Sequence, residues 1–202
     1  LAIALAKKLN GEIINADSMQ IFKEFKILSS RPGLNETQKI KHHIYGVISV
    51  KRYFSAGDWL KEARKKVENC LKRKKIPIFV GGTGLYFNII TKGISKIPDI
   101  DLKTRNKVRN LYRKIGFKEF YNLLVKLDPK IKGKILPTDS QRLQRAYEVK
   151  LKTKKSLFDW FLNTKSDFLD FEIKKIFIDI PREELLRKIS IRTDLMIKKK
   201  CI

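Results

Sequence analysis

Two short apolar runs in this chain each break off at residues that could do chemistry. Glu12-Ile13-Ile14 leads into Asn15-Ala16-Asp17-Ser18-Met19-Gln20, and Ile76-Pro77-Ile78-Phe79-Val80 leads into Gly81-Gly82-Thr83-Gly84. A buried strand that delivers a loop to the open edge of a parallel sheet reads this way, and ligands of such sheets bind beyond the carboxyl ends of the strands. Asp17 and Thr83 are therefore expected in one crevice. Asp17 would serve there as a base, as a Mg²⁺ ligand at a strand end, or only as the N-cap of a short helix. Thr83 would offer a hydroxyl to a substrate or to the Asp17 carboxylate, or cap the helix that follows. Its glycine neighbours let backbone approach closely.

The remaining candidates read more blandly on residue type. Arg105 is a solvated residue of a basic helix. Gln141-Arg142-Leu143-Gln144-Arg145 begins a helix after Thr138-Asp139. Thr138-x-x-Gln141 matches a capping box, and Arg142 and Arg145, three apart, share a face free to meet solvent. His42 and His43 are adjacent and point to different sides of a strand or turn. No cysteine or acidic cluster accompanies them, so a metal site is rejected, and His43 is read as the start of a buried strand. Trp59 and Phe87 are read as core.

These residues need elements to hold them. Residues 1–9 read as a helix already under way, stopped by Asn10-Gly11. Residues 43–50 read as a strand. Ser55 and Asp58 open a helix to about residue 74 with capping-box spacing, residues 76–80 form a strand, and residues 83–91 a helix. This alternation implies an α/β core on a parallel sheet. From residue 100 the pattern becomes helical, near 101–114, 117–126, 129–135 and 139–152. Residues 174–180 return to strand, and Pro181 opens a final helix. The expected organisation is an α/β core over 1–97, a helical insertion over 98–165, and a return to the core over 166–202.

Composition narrows the partners. The 202 residues are 43% hydrophobic, enough for a real core. Forty-six Lys+Arg against 21 Asp+Glu give a net charge of +25. A Lys/Ile-biased composition accounts for part of this excess, and the remainder favours a polyanionic partner through counterion release. Two cysteines, Cys70 and Cys201, are too few and too far apart for a metal or disulfide framework and are read as reduced thiols of a cytosolic protein. No apolar run approaches the roughly 18 residues needed to span a bilayer.

In order along the chain, the strings INADSMQ, PIFVGGTGLYF and DSQRLQRAYEV resemble the tRNA dimethylallyltransferase family. The resemblance implies a P-loop-NTPase-like parallel sheet with a helical tRNA-binding insertion. It also implies transfer of a dimethylallyl group from dimethylallyl diphosphate to N6 of the adenosine 3′ of the anticodon (position 37), with Mg²⁺. The phosphate-loop motif G-x-x-x-x-G-K-[ST] does not occur in these residues. The resemblance puts it just upstream of Leu1. A piece with no cofactor-binding residues of its own, no C-terminal segment, and no activity alone is therefore expected.

The resemblance assigns roles residue by residue. Asp17 accepts the proton of the adenine N6 amine, a poor nucleophile until that proton leaves. Thr83 supplies a hydroxyl beside it, and Arg105 lies against the diphosphate, where a planar guanidinium binds phosphate oxygens in pairs. Asp17, Ser18, Met19, Gln20, Thr83 and Arg105, with Gln141, Arg142, Leu143, Gln144 and Arg145, contact the anticodon stem-loop. The chain departs from the family pattern at Leu136 and Thr138, where His and Asn are usual, at Leu28-Ser29-Ser30-Arg31-Pro32, and at Lys154, where Gly is common. Rival readings are a P-loop nucleotide or metabolite kinase, an adenylate isopentenyltransferase, and a noncatalytic RNA-binding module. A cytoplasmic monomer with tRNA and dimethylallyl diphosphate as partners, and no membrane, is expected.

Overall fold

The computed structural model describes residues 1–198, so Cys201 lies outside the described residues. The chain divides into two compact units, Leu1–Thr91 with the residues from Asp167 on, and Lys92–Ser166. The first unit carries α1 (Ala2–Lys8), β1 (Gly11–Asn15), α2 (Leu34–Thr37), β2 (His42–His43), α3 (Ala56–Lys72), β3 (Ile76–Val80) and α4 (Gly84–Lys92). The second carries α5 (Leu102–Leu127), the 3₁₀ turn η1 (Pro129–Ile131), α6 (Ser140–Thr153) and α7 (Leu157–Phe161). The chain then returns to the first unit with α8 (Arg182–Lys198).

The sheet has the order β2-β1-β3, with both pairings parallel. All five residues of β1 are buried, as a central strand covered on both faces requires. Its register runs from Gly11 opposite Ile76 to Asn15 opposite Val80, so β1 and β3 end side by side. The α/β class and parallel sheet expected from the alternation are present. The helix α3 begins at the expected capping box: Asp58 N–H donates to Ser55 Oγ at 3.1 Å, and Ser55 N–H to the Asp58 carboxylate at 3.0 Å. It buries Trp59, Ala63, Val67 and Cys70, a stripe at helical spacing. Trp59 stacks on Tyr86 of α4, with ring centroids 4.0 Å apart and planes 5° from parallel. Phe87, the other aromatic read as core, is 36% exposed.

Of two strands expected from sequence, one is cut short and the other does not form. In place of a strand over 43–50, only His42 and His43 pair with β1. Positive φ at Ile44 (63°) and Gly46 (60°) ends the extended run there. The segment beyond is held by the loop after β1: Gly46 N–H donates to Gln20 O at 2.9 Å and Val47 N–H to Ile21 O at 2.8 Å. Residues 174–180 are likewise not a strand, and Phe177 is 89% exposed. A strand is stabilised only by a neighbour, and this segment has none among the described residues.

The second unit has its own core, with Val108, Phe120, Leu124, Ile131, Leu143, Ala146 and Val149 buried together. The helices expected at 101–114 and 117–126 are the two arms of α5, broken at Gly116 by φ 75° and ψ 173°. The helix expected at 129–135 shrinks to the single turn η1. No helix among the described residues is long and apolar enough to cross a membrane.

Candidate active site

The carboxyl ends of β1 and β3 deliver Asp17 and Thr83 to one place, as their sequence positions implied. Val80 O accepts the Ala16 N–H at 2.8 Å, the last ladder bond before the chain leaves the sheet. Ala16 O then accepts the Thr83 N–H at 3.2 Å. A Cβ on Gly81 would fall 2.2 Å from both Ala16 C and Ala16 O, so backbone passes here at a distance that only glycine allows.

Asp17 uses its two oxygens differently. Oδ1 accepts the backbone N–H groups of Met19 at 2.8 Å and Gln20 at 3.3 Å. This is the capping role, performed on a turn. Oδ2 accepts no hydrogen bond from the described residues, and a Cβ on Gly82 would lie 3.9 Å from it. Capping by one oxygen therefore leaves the other available to take a proton. The surroundings are partly apolar: burial pushes the Tyr45 hydroxyl up to about 12, with the charges of Asp17 and Glu36 adding. Burial, then the Asp17 charge, raises Tyr86 as well.

The Thr83 hydroxyl reaches Ser18 and not the Asp17 carboxylate. Its Oγ1 accepts the Ser18 N–H at 2.9 Å and donates to Ser18 Oγ at 3.2 Å. Gln20 braces the loop that follows, its Nε2 donating to Ser29 O at 2.9 Å. Met19 is half exposed. Sequence reasoning passed over Asn15, whose buried side chain holds the Asp17 backbone. A polar residue ending a buried strand was the available signal, since such a group has to find partners.

Arg105 and the 141–145 stretch belong to the second unit. Arg105 stands on the first turn of α5, where its N–H donates to Asp101 O at 3.1 Å. Asp101 caps that helix through Thr104 N–H at 2.8 Å. The cap of α6 is Asp139, which accepts the Arg142 N–H at 3.1 Å, and not the Thr138 box read from sequence. Arg142, 76% exposed, pairs with Asp139 at 3.3 Å, and Arg145 pairs with Glu148 at 3.6 Å. Leu143, grouped with the RNA contacts by resemblance, is wholly buried in the core. Its side chain packs the helix down, while Gln141 and Arg142 are exposed and Gln144 and Arg145 are half-buried.

A second polar cluster lies inside the first unit and corrects the view that His43 has no acidic or cysteine neighbour. His43 Nε2 meets the Glu12 carboxylate at 2.6 Å, and Cys70 Sγ lies 3.5 Å from it. Their ligand-type atoms all lie within 4.8 Å of one another. Arg73 already takes both carboxylate oxygens, Nη2 at 2.7 Å and Nη1 closer still. The Arg73 guanidinium holds Glu12 at about 2 against its burial, with His43 and Cys70 assisting. Burial lowers His43 and raises the Cys70 thiol to about 11. The cluster is an ion-paired lock joining β1, β2 and the end of α3.

Comparison with known proteins agrees with this architecture. Residues 20–202 match the family described as IPP transferase. A tRNA dimethylallyltransferase of Pelagibacter ubique is 54% identical over 97% of this chain and 63% of its own length. One from Rickettsia massiliae is 43% identical over 98% of this chain and 55% of its own length. The chain thus spans little more than half the length of these relatives. Among solved structures, a eukaryotic dimethylallyltransferase acting on tRNA superposes with a TM-score of 0.80 at 30% identity, over 98% of this chain and 49% of that one. The tRNA delta(2)-isopentenylpyrophosphate transferase of Staphylococcus epidermidis gives 0.56 at 30% identity, over 98% and 64%.

Proposed function

The chain belongs to the IPP transferase family, and on that premise we propose that it is the base-bearing and RNA-gripping part of a tRNA dimethylallyltransferase. The reaction moves a dimethylallyl group from dimethylallyl diphosphate to N6 of the adenosine 3′ of the anticodon, position 37. The observation that carries this reading is the divided use of Asp17, one oxygen committed to the turn and the other open.

An adenine stacked in the anticodon loop has to be flipped out to reach a carboxylate at a sheet edge. Once there, the N6 nitrogen attacks the allylic carbon, the carbon–oxygen bond to diphosphate breaks, and the N6 proton passes to Asp17 Oδ2. A positioned base lowers this barrier because the amine lone pair is delocalised until the proton departs. Thr83 and Ser18 hold the loop that aims the carboxylate. Arg105 would bind the leaving diphosphate, where neutralising developing charge helps most. Gln141, Arg142, Gln144 and Arg145 would grip the stem-loop backbone, and the net charge of +25 would draw the polyanion in.

Mg²⁺ takes oxygen ligands together with substrate phosphates, and the hydroxyls of Ser18 and Thr83 beside Asp17 are donors of that kind. The Glu12 cluster is not, being soft in part and already occupied by Arg73. When bound, Mg²⁺ would offset charge on the diphosphate. The setting is the cytoplasm, where the enzyme would act as a monomer.

The test is to incubate the protein, at the full length of its relatives, with tRNA, labelled dimethylallyl diphosphate and Mg²⁺. Label should appear at N6 of adenosine 37 and vanish from a tRNA carrying guanosine there. Transfer to free adenylate, or phosphoryl transfer from ATP, would overturn the reading.

A further inference from the structure

Asp17 is aimed by Asn15, two residues before it. Beyond the Ala16 N–H the sheet no longer sets the backbone, yet both peptide groups of residue 17 are held. Asn15 is fully buried. Its Oδ1 accepts the Asp17 N–H at 2.8 Å, and its Nδ2 donates to Asp17 O at 2.9 Å and to Ile44 O at 3.0 Å. Its own carbonyl accepts the indole N–H of the buried Trp59 at 2.9 Å. Among the described residues, nothing else bonds to the N–H or C=O of Asp17. A carboxamide suits this task because one planar group carries an acceptor and two donors. A carboxylate would face two carbonyls with no proton to give, and an apolar side chain would leave three backbone groups unsatisfied.

We propose that Asn15 is a positioning residue for the reaction, fixing the direction of the Asp17 carboxylate without touching substrate. The inference rests on Asp17 being the base. Asn15 clamps residue 17 from the strand side, and Gly81 closes on the same segment, where an added Cβ would come within 2.6 Å of Asp17 N. With the clamp gone, the turn is free to rotate about Asp17. A displacement of about 1 Å at a reacting group costs roughly 10²-fold in rate.

The experiment is a double-mutant cycle in the full-length enzyme, read by single-turnover transfer, by tRNA Kd and by thermal unfolding. Asn15→Ala should slow transfer by about 10²-fold with tRNA Kd unchanged. In an Asp17→Ala background the same substitution should cost almost nothing further, because a residue that acts only through Asp17 has nothing left to aim. Equal losses in both backgrounds, or no loss in the first, would overturn the proposal. If Asn15→Ala does not fold, Asn15→Ser, which stays neutral and keeps a small hydrogen-bonding group while losing the carboxamide's reach, runs the same cycle and is read by the same criteria. Wild-type transfer by Asp17→Ala alone would instead sink the base assignment, and the positioning role with it.

Discussion

Thr83 Oγ1 accepts the backbone N–H of Ser18 at 2.9 Å, joining the ends of two parallel strands across 65 residues of sequence. The bond ties the glycine turn after β3 to the loop that carries Asp17. Thr83→Val removes the hydroxyl while keeping the volume. It should cost about 1 kcal/mol of stability and slow transfer about tenfold or more, whereas Thr83→Ser should retain most of both. Equal behaviour of the two variants would show that the hydroxyl is idle.

Asp17→Ala, in the enzyme at full length, should lower kcat by about 10²–10⁴ and change tRNA affinity far less. Steady-state kinetics beside a binding titration separate the two. Turnover near that of the wild type would return Asp17 to its capping bond alone.

Replacing Arg142 and Arg145 by Ala should weaken tRNA binding and reduce the salt dependence by about one log–log unit for each phosphate no longer neutralised. Each arginine has an acidic neighbour, Asp139 at 3.3 Å for Arg142 and Glu148 at 3.6 Å for Arg145, but Arg142 is the more exposed, 76% against 38%, so it should give the larger effect. A salt slope that does not move would assign the pair to solvent.

Gly81→Ala places a methyl 2.2 Å from Ala16 C and O. Strand ends must part to admit it, at about 1–3 kcal/mol, and Asp17 moves with them. Thermal unfolding and kcat should both fall. An unshifted melting temperature would mean that the two strand ends are not held as closely as 2.2 Å implies.

Acid should unlock the Glu12 cluster. Glu12 sits at about 2 in the folded protein against an ordinary 4.5, so its contribution is complete above pH 4.5 and is lost as pH falls toward 2. Burial lowers His43 from 6.5; this neutral histidine costs nothing above that value, and its resistance to protonation destabilises the fold as pH drops below it. Both act in the same direction. Urea unfolding between about pH 2 and 7 should show stability falling with acid, with Glu12 responsible for on the order of 3 kcal/mol. Glu12→Gln should flatten that part of the curve, and an unchanged slope would refute the assignment.

The local pattern was enough to place Asp17 and Thr83 at neighbouring strand ends. An apolar run that stops at small and polar residues is a short-range signal, and the same holds for the Ser55–Asp58 cap, whose partners lie three residues apart. The strand expected over 174–180 failed because strand formation depends on a neighbour, and periodicity within a segment carries no information about one. The 43–50 strand failed where Ile44 and Gly46 turn to positive φ, a choice made by the loop around Gln20 and Ile21 that captures them. Leu143 reads as part of a polar RNA-facing string until the packing of α5 on α6 buries it. The Glu12, His43, Cys70 and Arg73 lock and the Asn15 clamp belong to tertiary structure for the same reason. Their distant partners, Glu12 with His43 and Arg73 and Asn15 with Ile44 and Trp59, are brought within hydrogen-bond reach by strand register and by the helix crossing over the sheet, and contacts between residues that far apart leave no mark on any local window of the sequence.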